Sequence, residues 1–158
     1  MNSRKALNRS VMKKADREKI FNKYDGCCAY CGCNLEKGWH ADHIDPIRRT
    51  QTHVRDEKGK IVRDEYWKPV TVLTIMHPEL DTIENHNPSC RSCNINKHSM
   101  SIEQFRAAIA GYLNSLNLRI VQYKMVKKYN LVQETGITVE FYFEKFEREL
   151  AESSRQTA

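Results

Sequence analysis

Two cysteine pairs constrain this chain more than any other feature: Cys28-Ala-Tyr-Cys31 and Cys90-Arg-Ser-Cys93. A spacing of two residues lets both thiolates of one turn reach a single ion, so two such pairs predict a tetrahedral four-cysteine zinc site. Four protein ligands close such a site, and the zinc then holds the fold together without taking part in chemistry. Cys27 and Cys33 remain as free thiols; in a less favoured register, one of them replaces a ligand.

Disulfide bonds are the alternative use of six cysteines. The basic start of the chain has no apolar segment behind it, so we expect no secretory signal and a cytoplasmic location. No apolar run is long enough to span a bilayer, and we expect no membrane partner. With 158 residues, 29% of them charged, the chain should form one domain with a modest core, which a bound metal would help to stabilise.

Positive charge is concentrated in two blocks. Residues 1–24 hold eight Lys or Arg and two acids, and residues 85–128 hold seven Lys or Arg and one acid, Glu103. The rest of the chain is net acidic, although the formal charge of the whole is +6. The two basic blocks lie on either side of the segment that contains Asp42 and His43. This arrangement suits the binding of a polyanion that crosses a metal site. A solvated basic surface without a partner is the alternative, and charge alone does not separate the two.

Local patterns predict an α+β fold built from short elements. Leu7, Val11 and Ala15 recur every four residues and predict a basic helix over residues 4–23. Turn, capping and alternation signals predict the other elements: an extended segment at 39–44, a surface hairpin at 48–63, a strand at 70–75, a helix that begins with the capping box at 101–104, a second helix at roughly 118–129 and a strand at 137–143. We expect disorder from Ser153 onward and find no internal repeat.

Candidate chemical groups lie between the cysteine pairs and directly after them. In an extended segment Asp42 and His43 point to opposite faces, so one can bind a metal while the other faces a substrate. If the chain after Cys93 begins a helix, Asn94 and His98 share one face, a spacing that suits two ligands of one ion. The remaining histidines are expected in ordinary loops, His86 being the most suspect because it adjoins Asn85: His40, His53, His77 and His86. Both tryptophans are expected to pack: Trp39 and Trp67.

Together these elements resemble the HNH endonuclease family, whose pattern runs CxxC, DHI-x-P, Asn and CxxCN-x-x-K. The chain has Asp42-His43-Ile44-Asp45-Pro46 between the two cysteine pairs, Asn85 before the second pair, and Asn94-Ile95-Asn96-Lys97 after it. The resemblance covers roughly residues 24–106 and looks like the small nucleases found in phage genomes. A phage-encoded chain would act in the cytoplasm of the host cell.

The resemblance implies a ββα-metal fold and a role for each matched residue. His43 matches the general base that activates water, and Asn85 matches the middle Asn that orients it. Asp42 and Asn94 match ligands of a catalytic divalent ion, Mg²⁺ or Mn²⁺, with Asn94 in the position where many members have His. His98 is a further candidate ligand; if it binds, a preference for Zn²⁺ or Ni²⁺ follows. The implied substrate is double-stranded DNA.

The predicted organisation follows from the span of the resemblance. The parts are a basic N-terminal helix (1–23), a nuclease core (24–106) with an insertion at about 48–80, a C-terminal helical and strand extension (107–152) and a tail (153–158). Lys97, Arg48 and Arg49 are predicted to contact DNA phosphates, with ordinary solvated side chains as the alternative. A zinc-stabilised DNA-binding module without catalysis is the competing function, but it has no use for the full set of acid, histidine and asparagine residues.

Overall fold

The computed structural model describes residues 12–156, which form an α+β fold with two small antiparallel sheets. Within this range the helices are α1 (Lys14–Asn22), α2 (Arg91–Lys97), α3 (Ile102–Arg119), α4 (Val121–Lys128) and α5 (Tyr142–Gln156), and the strands are β1 (His40–His43), β2 (Arg48–His53), β3 (Thr71–Met76) and β4 (His86–Ser89). β1 pairs with β4, and β2 pairs with β3. The sheet of β2 and β3 is thus inserted between the two strands of the other sheet.

The buried core lies around the first cysteine turn. Cys28 and Tyr30 pack with Phe105 from α3 and with Phe141, which directly precedes α5. The aromatic rings meet edge to face or stacked, with the centroids of Tyr30 and Phe105 5.6 Å apart and those of Phe105 and Phe141 5.4 Å apart. Aromatic residues contribute large buried areas, so a small core of this kind can organise several short elements.

The first cysteine turn, residues 26–35, is fastened to β4. The amide of Ala29 donates to the carbonyl of Pro88, and the amide of Cys28 donates to the carbonyl of Cys33. Gly32 has a φ of +73°, and a Cβ at this position would lie 2.8 Å from the ring of Tyr142. Glycine is therefore required by both conformation and space. We refer to this turn together with β1, β4 and α2 as the cysteine unit.

Between β1 and β4 the chain forms a protruding two-stranded ribbon. We call this ribbon, residues 48–76, the arm. β2 and β3 pair along their full length, from Arg48 opposite Met76 to His53 opposite Thr71. The predicted strand at 70–75 is confirmed. The predicted hairpin at 48–63 is wrong in its pairing, because the partner of β2 is β3 and the turn at 56–60 lies beyond the paired strands.

The end of the arm contains an eight-residue repeat, so the expectation of no internal repeat is wrong. The copies are Val54-Arg-Asp-Glu-Lys-Gly-Lys-Ile61 and Val62-Arg-Asp-Glu-Tyr-Trp-Lys-Pro69. In each copy the aspartate accepts the backbone N–H groups two and four residues on, and the arginine donates to the carbonyl four residues on. The two copies therefore form the same turn twice.

The C-terminal part differs from the prediction. Residues 137–141 have no strand partner, and the alternation at 137–143 instead places Phe141 in the core. The amides of Tyr142 and Phe143 donate to the carbonyls of Tyr30 and Ala29, and α5 starts there. The predicted strand is wrong because the aromatic side chains pack on the cysteine turn. The predicted disorder is also wrong for residues 153–156, which continue α5.

The helices predicted from capping patterns and from hydrophobic periodicity are present. Ser101 and Gln104 form the capping box at the start of α3, and α4 lies within the predicted second helix. The predicted N-terminal helix is seen as α1 from Lys14; residues 1–11, including Leu7 and Val11, lie outside the described residues. No helix between residues 12 and 156 is long and apolar enough to cross a membrane.

Candidate metal centre and active site

The four predicted cysteines come together at one point. The Sγ atoms of Cys28, Cys31, Cys90 and Cys93 all lie within 4.8 Å of one another. The Sγ atoms of Cys31 and Cys90 are 3.9 Å apart, close to the separation of about 3.8 Å that follows for a tetrahedron with Zn–S bonds of about 2.3 Å. The cysteines are free thiols rather than disulfides. The group is thus positioned to hold a metal ion and is compatible with a structural zinc.

Backbone and thiol donors surround the buried sulfur of Cys28. The thiol of Cys93 and the amides of Cys31, Cys90 and Tyr30 lower the pKa of Cys28 to about 4, against the opposing effect of burial. A stabilised thiolate is the form that binds a metal. The amide of Cys90 donates to the sulfur of Cys28, and the sulfur of Cys90 in turn caps α2 by accepting the amide of Cys93. Cys27 and Cys33 lie outside the four-sulfur group, so the favoured register fits the geometry.

A second group of possible ligands forms where β1 meets β4. His43 and His86 are cross-strand partners, with ring centroids 4.1 Å apart. The loop before β4 brings Asp81 to them: its Oδ1 lies 3.0 Å from Nε2 of His43 and 3.9 Å from Nε2 of His86. The side chains of His43 and Asp81 are 21% and 42% exposed, so solvent and a substrate can reach them. This group is the second arrangement within residues 12–156 that could hold a metal ion.

His86 is held in one tautomer. Its Nδ1–H donates to the carbonyl of Thr82, which leaves the lone pair of Nε2 directed at the group formed with His43 and Asp81. Burial lowers the pKa of His86 below its ordinary value, so the ring is neutral at pH 7. A neutral imidazole whose other nitrogen donates to a carbonyl is the usual form of a metal-bound or proton-accepting histidine.

Asp42 faces the opposite side of β1 and forms a buried ion pair. Its Oδ2 accepts hydrogen bonds from the hydroxyl of Tyr30 at 2.5 Å and from Nζ of Lys97 at 3.0 Å. Lys97 is fully buried and also donates to the carbonyl of His43. A buried ammonium with these partners cannot contact a phosphate, so the predicted phosphate contact at Lys97 is wrong. Lys97 instead fixes the backbone at the candidate active site.

Asn85 fastens the loop that follows His43. Its Nδ2 donates to the carbonyls of Asp45 and Leu80, and its Oδ1 accepts the amide of Asp45. The amide of Ile44 donates to the carbonyl of Asn85. This side chain therefore connects the chain after β1 to the loop that carries Asp81.

The other predicted site residues lie apart from these contacts. Asn94 is half-buried in α2, and His98 is exposed just beyond its end, so the predicted i, i+4 pair does not continue along one helix. Among the His, Cys, Asp and Glu residues of the described range, neither His98 nor Asp42 joins a three-residue ligand group. Arg48 and Arg49 are exposed at the base of the arm and point to opposite faces of β2.

Sequence reasoning missed Asp81 and treated His86 as an ordinary histidine. The spacing to His43 carries no signal for Asp81, because the loop 77–85 and the pairing of β1 with β4 bring it there. The one signal for His86 was its position beside Asn85. Compared with known proteins, the chain matches no family model, no curated protein and no solved structure.

Proposed function

We propose that this chain is a metal-dependent endonuclease that hydrolyses phosphodiester bonds in double-stranded DNA. One observation carries the proposal: the partly exposed imidazole of His43 lies 3.0 Å from the carboxylate of Asp81 and against the neutral ring of His86. The strand that bears His43 is fixed by Asn85 and Lys97 beside the four-cysteine centre. A binding module alone has no need for a histidine oriented in this way.

The resemblance to the HNH endonuclease family is part of the proposal. The order of β1, β4 and α2, two antiparallel strands followed by a helix that carries Asn94, supports the family's ββα-metal unit. Zn²⁺ is the proposed ion of the four cysteines, because thiolate ligands in tetrahedral geometry favour it. This zinc is closed by protein ligands and is therefore assigned a structural role.

His43 is the proposed general base. With Nε2–H donated to Asp81, the Nδ1 lone pair of His43 is left to accept a proton from water, and the carboxylate stabilises the imidazolium that forms. Asp81 is then a positioning residue, in addition to the proposed role of Asn85. Proton transfer to a positioned imidazole contributes about 10²–10⁴-fold to a rate.

A divalent ion would stabilise the charge that develops on the departing 3′-oxygen. The resemblance implies Asp42 and Asn94 as ligands, whose oxygens suit Mg²⁺ or Mn²⁺. Asp42 would have to leave its buried pair with Lys97 to bind an ion beside His43. The structure adds a second donor set, His43 with Asp81 and His86, whose two nitrogens favour Mn²⁺, Ni²⁺ or Zn²⁺ over Mg²⁺. In that arrangement His43 is a ligand rather than the base.

A plasmid assay tests the function. Supercoiled DNA is incubated with the wild type, His43→Ala and the control His77→Ala, which removes an exposed histidine paired with Glu79, in Mg²⁺, Mn²⁺ or EDTA. We expect nicking or linearisation by the wild type, a loss of at least about 100-fold in His43→Ala, and no change in His77→Ala. If the wild type leaves the plasmid intact in every metal, the nuclease proposal fails and a DNA-binding module is the better interpretation.

Asp81→Asn separates the two ion arrangements, with Glu79→Gln as the matched control in the same loop. If Asp81 only positions His43, cleavage falls at least about tenfold, while the affinity of the zinc-loaded protein for Mn²⁺ is unchanged. If Asp81 is a ligand, Mn²⁺ binding measured by calorimetry is lost together with cleavage. If Asp42 is a ligand instead, Asp42→Asn should remove Mn²⁺ binding. Because Asp42 also pairs with the buried Lys97, the unfolding transition of this variant is measured alongside.

A further inference from the structure

Most side chains of the arm are exposed rather than packed against other parts of the protein. All six residues of β2 are exposed, and in β3 only Ile75 is partly covered. The strands are held by backbone pairing, and beyond them the backbone groups of Val54, Val62 and Val70 form a closed ring of hydrogen bonds of 2.8 to 2.9 Å. The arm is therefore ordered without using either of its faces.

The two copies of the repeat differ at one informative place, the tip of the turn. The first copy has Lys58-Gly59 there and the second has Tyr66-Trp67. Tyr66 and Trp67 are 71% and 78% exposed, so the prediction that Trp67 packs is wrong. Trp39, by contrast, packs on Phe21 as predicted.

The second tip also adopts an unfavourable backbone conformation. Gly59 has a φ of +77°, which costs glycine little, whereas Trp67 occupies the equivalent position with a φ of +59°. A left-handed position of this kind favours glycine, the residue that the first copy has there. Two large exposed aromatic rings thus occupy the second tip, one of them at a position that favours glycine, and folding does not explain their presence.

Charge on the arm indicates a polyanion as the occupant. Residues 48–76 carry seven Lys or Arg and four acids. Two of the acids, Asp56 and Asp64, each accept two backbone N–H groups inside their turns. Arg55 and Arg63 likewise donate inside their turns, which leaves two acids, Glu57 and Glu65, and five other basic residues. These five lie at the base of the arm and near its end: Arg48, Arg49, Lys58, Lys60 and Lys68.

We infer that the arm is a DNA-binding element whose two strands follow a groove of the duplex and whose Tyr66–Trp67 tip inserts against the bases. A two-stranded ribbon fits the major groove, basic side chains contact phosphates, and aromatic side chains stack on bases or wedge between base steps. This inference names the surface by which the proposed nuclease holds DNA, and so it rests on the proposed function for its substrate.

The first test gives the tip of the second copy the two residues found at the tip of the first. The variant Tyr66→Lys/Trp67→Gly recreates a turn that this chain already forms eight residues earlier, so the arm keeps its fold. Binding of the full zinc-loaded chain to a fluorescein-labelled 30-base-pair duplex is measured by anisotropy without added divalent ions, with Tyr129→Lys as the control for an aromatic residue 67% exposed elsewhere. We expect about tenfold weaker binding in the tip variant and none of this loss in the control.

The added lysine sharpens this test, because an extra positive charge strengthens contacts with phosphate. A loss of affinity can therefore be assigned to the missing rings. If the tip variant binds DNA as tightly as the wild type, the inference is overturned, and a protein partner becomes the better explanation of the tip.

A second test reports stacking directly. The chain has two tryptophans, so Trp39→Phe leaves Trp67 as the only one. Saturating DNA should quench its fluorescence by at least about half; an unchanged signal would show that the tip stays away from the bases. Both measurements need no cleavage, so a chain that binds through its tip but never cuts contradicts the nuclease proposal alone.

Discussion

The cysteine unit and the arm achieve order by opposite means. In the cysteine unit every residue of β4 is buried, a lysine is fully buried against an aspartate, and four sulfurs converge. In the arm, almost every side chain is exposed, and backbone hydrogen bonds with repeated turns maintain the shape. The first region depends on side chains for its stability, and the second leaves its side chains free for contact.

This difference matches the two roles that we propose. A short strand such as β1 cannot hold a histidine in place unless buried neighbours fix it, and Lys97, Tyr30 and Asn85 do this from three elements. In the arm the apolar residues are at most partly covered, so Tyr66 and Trp67, which are 71% and 78% exposed, gain little from folding. Exposed rings at its tip are therefore best understood through a partner.

The largest effect is expected for Cys90→Ser. Removing one of four thiolates should abolish zinc retention and with it cooperative folding, because the small core depends on the metal. Native mass spectrometry should show one zinc in the wild type and none in the variant, which should lack a thermal unfolding transition. Cys27→Ser makes the same chemical change outside the four-sulfur group and should behave as the wild type. A metal-free protein that unfolds with a normal transition would contradict the structural zinc.

Lys97→Met should have the next largest effect. It leaves the carboxylate of Asp42 buried without its cation, a loss of about 3–5 kcal/mol in the free energy of unfolding, measured with urea on the zinc-loaded protein. Lys145→Met removes an exposed lysine paired with Glu149 and should cost less than about 0.5 kcal/mol. A similar small loss in Lys97→Met would mean that the buried ion pair is not formed in solution.

The smallest effect, and one of opposite sign, is expected for Trp67→Gly. Relief of the left-handed conformation should raise the free energy of unfolding by about 0.5–1 kcal/mol, net of the flexibility that glycine adds to the unfolded chain. Gly59→Trp should lower it by a similar amount. A clear loss of stability in Trp67→Gly would show that the ring packs on the arm, and the contrast between the two regions would then weaken.

Much of the cysteine unit and the start of α3 were predictable because their signals are local. The two-residue spacing of the cysteines and the capping box at Ser101 each involve neighbours in sequence, and both are found as predicted. The strand predicted at 137–143 failed because alternation does not reveal whether a partner strand exists. Phe141 instead packs against Phe105 and Tyr30, so packing in the core decides its position.

The repeat in the arm can be read from the sequence, but the conformation and exposure of its second tip cannot. Only the structure shows that Trp67 occupies the position of Gly59 and that its ring is exposed.

The sequence alone determined which residues bind the proposed zinc, where α3 begins and where Asp42, His43 and Asn85 stand along the chain. Tertiary structure decided what these residues touch. Pairing of β1 with β4 set His43 against His86 and Asp81, while burial turned Lys97 from a predicted phosphate contact into the partner of Asp42. The physical reason is that ligand spacing within a turn is fixed by a few bonds, whereas contacts between distant segments depend on how strands pair and which groups are excluded from water.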